Sequence, residues 1–90
     1  MRASREAVAR WNTAYAEQTA ALFAAMSPRF VDVTAIRRLA AAYAEVADAW
    51  RALAAESSVP LWARHAATVA AEEFERRVGL EIARAQAIEE

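Results

Sequence analysis

Few residues in this chain have side chains suited to chemistry: one histidine, His65, a scatter of arginines that includes Arg37, Arg38 and Arg64, and the amides Asn12 and Gln18. A histidine works as a general base when a carboxylate lies close enough to orient it. On a helix the neighbours of His65 at three and four residues are Leu61, Trp62, Thr68 and Val69, none of them acidic. His65 therefore reads as a hydrogen-bonded residue within or at the edge of the core. Metal sites in helical bundles use Glu-x-x-His pairs, and here the residue three before His65 is Trp62. With no cysteine and one histidine, a transition-metal site would have to draw ligands from more than one subunit. Ser57 and Ser58 read as helix caps, and a lone Gly79 cannot build a nucleophile elbow or a phosphate-cradling loop. No cofactor is expected. What remains is a polar set, Gln18, Arg37, Arg64 and His65, that becomes a site only if packing between subunits assembles it.

Composition narrows the setting in which those residues sit. The 90 residues allow one domain, and a chain this short buries only about 60 to 65% of its unfolded surface, so an associating partner would add needed area. The absence of cysteine removes any disulfide framework and makes a cytoplasmic location the expectation. The opening MRASREAVARW has no apolar run of signal-peptide length, and nothing approaches the roughly 20 apolar residues of a membrane span. The formal charge is -1, with Arg and Glu mixed along every segment, which predicts no nucleic-acid partner. Alanine occurs 27 times, glycine once and proline twice. Alanine is the best helix former and those two the worst, so the chain is expected to be all-α.

The prolines cut it into three helices, expected at about 4–26, 32–57 and 59–88. In the first, Val8, Trp11, Tyr15 and Leu22 recur at helical spacing, with Gln18 in the heptad slot between Tyr15 and Leu22. A buried amide in such a slot fixes helix register or hydrogen-bonds a ligand, but the expectation for Gln18 is partial exposure. The second starts at Asp32 as N-cap, with Val31 and Ile36 placed for a hydrophobic staple. Ile36, Leu39, Tyr43, Val46, Trp50 and Leu53 then alternate spacings of three and four, a narrow seam that suits near-parallel packing. The alanines around it leave room for a second close contact. Both connections are short, so the helices should run up-down-up as one three-helix bundle unit.

The third helix carries two apolar stripes. On a wheel started at Leu61, the residues Leu61, Trp62, His65, Val69 and Leu80 share a sector of about 100°, read as the core face. Phe74, Val78 and Ile82 fall at about 220°, 260° and 300°, nearly opposite. Either the helix bends at Gly79 to bring both stripes to one core, or the second stripe meets another molecule. Glycine alone seldom redirects a helix, so the pattern predicts an interface at Phe74, Val78 and Ile82. Symmetric dimers are the commonest small oligomers, which makes a homodimer that completes its core between subunits the expected assembly, with another protein as the alternative partner.

Trp11, Trp50, Trp62, Phe23, Phe30 and Phe74 are many large aromatics for an alanine-rich chain of this length. In composition it resembles the phasins that coat polyester storage granules, which implies amphipathic helices laid on an apolar surface. In length and helix count it is also similar to the all-helical chorismate mutases, dimers that bind a dianion with arginines. This chain has no lysine and offers only Arg5 and Arg10 on its first helix, so no site residue carries over from that family. The function expected from the residues themselves is a non-enzymatic module for protein association, with an apolar-surface coat or a small enzyme with an inter-subunit site as alternatives.

Overall fold

The computed structural model describes residues 4–26 and 32–90. Three helices and no strands make up the described residues: α1 (Arg5–Met26), α2 (Val33–Ala54) and α3 (Leu61–Glu89). The turn at Ser27 and Pro28, and Val31 of the expected staple, lie outside them.

Each described helix start has a local cause. The Ser4 hydroxyl oxygen accepts from the backbone N–H of Ala7 at 3.1 Å and donates to a Glu56 carboxylate oxygen at 2.6 Å. It thereby caps α1 and ties that end to the α2–α3 connection. Asp32 caps α2, its carboxylate accepting from the Thr34 N–H at 2.9 Å. Replacing Asp32 with alanine should cost about 1 kcal/mol, the usual value of such a cap, read as a lower midpoint in denaturant. The α2 helix stops at Ala54, three residues before its expected end, and the Arg64 guanidinium Nε donates to the free Ala54 carbonyl at 2.9 Å. No serine caps α3. Pro60 holds the N-cap position with extended angles, and its carbonyl accepts from Ala63 and Arg64 at 3.0 Å each.

Neighbouring helices run antiparallel. Glu17 meets Arg38 and Trp11 meets Trp50 between α1 and α2, while Arg51 meets Glu75 and Arg37 meets Glu89 between α2 and α3. The molecule measures 47 × 19 × 13 Å, with a radius of gyration of 14.7 Å against about 12 Å for a compact chain of this size. It is a rod as long as α3.

Alanine sets the packing. Ala7, Ala14 and Ala21 are buried at seven-residue intervals along α1, as are the pairs Ala40 with Ala47 and Ala42 with Ala49 on α2. A methyl group lets helix axes approach to the short end of the usual 8–10 Å, about 8 Å. On α2 the pair Ala40 and Ala47 lies on the side that sends Arg37 and Arg51 to α3, and the pair Ala42 and Ala49 on the side that sends Arg38 to α1. The expected seam of α2 faces between the two neighbours: Ile36, Leu39, Tyr43 and Val46 are buried, and Trp50 packs against that cluster.

The flanking helices α1 and α3 make no close backbone approach to each other. One aromatic pair spans the gap, Tyr15 to Phe74 at 6.1 Å, and the cluster extends to Tyr43 on α2, 5.8 Å from Phe74, and to Trp11 on α1, 4.7 Å from Tyr15. The Arg77 guanidinium lies over the Phe74 ring, 4.6 Å from its centroid, and closes the cluster with a cation–π contact.

Candidate interaction surface on α3

Both the expected interface and the expected core face of α3 are corrected by the packing. Phe74 is only 7% exposed and stands in the middle of the aromatic cluster, and Val78 packs against the same core. Ile82, the third member, stays 45% exposed. The helix runs unbroken through Gly79, and the two stripes do not both reach the core, since Leu61, Trp62, Val69 and Leu80 stay exposed. Its inward face is instead Ala67, Ala71, Phe74, Val78 and Ala85, which fall between about 220° and 280° on the wheel started at Leu61.

The sector read as core therefore points outward. Leu61 and Trp62 are each 76% exposed, Val69 52% and Leu80 54%, and His65 is exposed beside them. Single exposed apolar residues are ordinary, but here four large ones share one side of the helix, Leu61 and Trp62 in the first turn, then Val69, and Leu80 beyond the Glu73–Arg76 pair, and exposed apolar groups gathered on one side mark a contact surface. The signal for this was in the alanines. Ala67, Ala71, Val78 and Ala85, with Phe74 between them, keep the three-four rhythm of a packed face, and weighting residues by size hid it.

Gly79 lies on the outward side. An added Cβ there would meet nothing within 4 Å, and its φ is not positive. Nothing inside the chain requires glycine at this position, although it costs the helix about 1 kcal/mol relative to alanine.

Charge along α3 is organised around Glu73, whose two oxygens accept from Arg76 Nε at 2.9 Å and Nη2 at 2.6 Å, with Arg77 Nε at 3.3 Å. Hydrogen bonding to Arg76 chiefly, and then the charges of Arg76 and Arg77, hold its carboxyl down from 4.5 to about 2. Glu17 and Glu75 are lowered in the same way by their hydrogen bonds to Arg38 and Arg51. A depressed carboxylate stabilises the fold above its unfolded pKa and loses that contribution as pH falls through the folded one. The melting temperature should therefore drop as pH falls from about 4.5 to about 2, and a Glu17→Gln, Glu73→Gln, Glu75→Gln variant should show a shallower drop. Thermal melts across that range check it; equal slopes would mean that these pairs do not persist in solution.

The polar set Gln18, Arg37, Arg64 and His65 is not brought together within one chain. Arg37 pairs with Glu89 at one end of the rod, whereas Arg64 caps α2 at the other, about 26 Å away along that helix. Gln18 is buried in α1, near the level of the Glu17–Arg38 pair, and His65 faces out from α3. A shallow groove of about 410 Å³ between α1 and α2 is lined by Ala9, Arg10, Thr13, Ala14, Glu17 and Glu45, with Glu17 already committed to Arg38. Among the described residues no group of three His, Asp or Glu side chains is placed to hold a metal ion. Nor is any described helix long and apolar enough to cross a membrane. The indole N–H groups of Trp11 and Trp50, buried edge to face at 5.4 Å, find no acceptor among the described residues.

No protein family, curated protein or solved structure matches the chain.

Proposed function

We propose that this chain is a non-enzymatic helical module that works by self-association through the outer face of α3. One observation carries the reading: Leu61, Trp62, Val69 and Leu80 stand exposed on one side of α3, away from the face that already fills the intramolecular core. Covering such side chains is worth about 1.5 to 3 kcal/mol each, and a domain of 90 residues has little stability to spare. The dispersal of Gln18, Arg37, Arg64 and His65 supports a non-catalytic role. This outer face replaces Phe74 and Val78 as the associating surface, because those two are already engaged within the chain.

A Trp62→Ser, Val69→Ser, Leu80→Ser variant tests this. Light scattering should give the wild type a mass above the 9.9 kDa of one chain and the variant a mass equal to it, with helicity retained. A wild type at 9.9 kDa at every concentration would overturn self-association. If that monomer also bound apolar particles and the variant did not, the coat reading would replace it.

A further inference from the structure

We infer that the outer face of α3 seats a second copy of this chain in one register: two α3 helices antiparallel, crossing about a two-fold axis at the level of Phe74. This rests on the self-association reading and specifies its geometry. The outer face of α3 carries two heptad rows, Trp62, Val69, Arg76 and Ala83 in one and His65, Glu72, Gly79 and Gln86 in the other, and all eight residues are exposed. In an antiparallel pair the residues of one row face those of the partner's other row.

Only one heptad alignment sets Arg76 against the partner's Glu72 and, by symmetry, Glu72 against the partner's Arg76. Slipping by seven residues in either direction separates them, setting Arg76 against the partner's His65 or the partner's Gly79. A parallel pair would oppose Arg76 to the partner's Arg76 and Glu72 to the partner's Glu72, which charge repulsion disfavours. Arg76 has capacity for this contact, since its intrachain pair with Glu73 uses Nε and Nη2 and leaves Nη1. The interface would thus join Glu73, Arg76 and the partner's Glu72 in one chain of charges, twice.

The same alignment accounts for the glycine. It sets Val69, with the partner's Leu80 beside it, over the partner's Gly79, and His65 over the partner's Ala83, so that larger residues meet the smallest ones. Gly79, which nothing within the chain explains, becomes the point of closest approach. At the ends Trp62 lies over the partner's Gln86, whose long side chain can fold along the indole.

Charge exchange tests the register. Sedimentation equilibrium of Glu72→Arg and of Arg76→Glu should each show dimerisation weakened at least tenfold, because like charges then meet twice. Combining the two substitutions should restore the wild-type dissociation constant to within a few-fold. Gly79→Leu should abolish the dimer while raising the melting temperature of the dilute monomer, which separates a steric block from a folding defect. A double exchange that fails to restore association, or a Gly79→Leu protein that still dimerises, overturns this register. If the Trp62, Val69, Leu80 serine variant is nonetheless monomeric, self-association through this face survives and only the alignment is wrong. A wild type that never dimerises overturns both.

Discussion

Truncating Phe74 to alanine should lower stability by about 3–5 kcal/mol, a large part of the roughly 5–13 kcal/mol available to a domain of this size. The ring is 7% exposed and touches Tyr15 on α1 and Tyr43 on α2, and it carries the Arg77 guanidinium on its face. Its removal opens a cavity where α1 and α3 have no backbone contact to close it, so little relaxation can offset the loss. The melting temperature should fall by at least about 12 °C. Ile82→Ala, one residue of the same sequence stripe but 45% exposed, should change stability by well under half as much. Thermal and denaturant melts at low protein concentration compare the two. Equal small effects would mean that Phe74 faces solvent, as the spacing alone suggests.

Enlarging Ala71 should be nearly as damaging for the opposite reason. Ala71 is fully buried on the face that α3 turns to α2, where Ala40 and Ala47 are also buried. Ala71→Leu adds three carbons to a contact whose closeness depends on methyl groups, and overpacking of this kind costs about 1–3 kcal/mol or more. Leucine is nearly as good a helix former as alanine, so the loss would come from packing alone. Ala16→Leu, on the exposed side of α1, should lie within about 0.5 kcal/mol of wild type. Denaturant midpoints for both variants decide the matter, and a tolerated Ala71→Leu would mean that α2 and α3 pack more loosely than described.

Much of the architecture was legible in the residues. The alanine content and the scarcity of glycine and proline required helices, Asp32 marked the start of α2, and the α2 seam faces the core from Ile36 to Trp50 as its spacing predicts, with Leu53 only partly covered. On α1 the legible part was smaller. Gln18, expected to be partly exposed, is buried, and so are Ala7, Ala14 and Ala21, while Val8 and Tyr15 of the expected stripe are only partly covered.

By itself the sequence determined that α3 has two apolar faces on nearly opposite sides; only the tertiary structure decided that one of them looks away from the protein's own core, and which. The reason is physical. Along a single helix, large side chains suggest the inward face because they have most area to bury. When helices pack through methyl groups, the inward face is the one that permits close approach, and bulky residues fit there only at gaps. Phe74 found such a gap between α1 and α3, whereas Leu61, Trp62, Val69 and Leu80 had none and remained outside. Which face is free depends on the spaces left by the other two helices, and no periodicity within α3 encodes that.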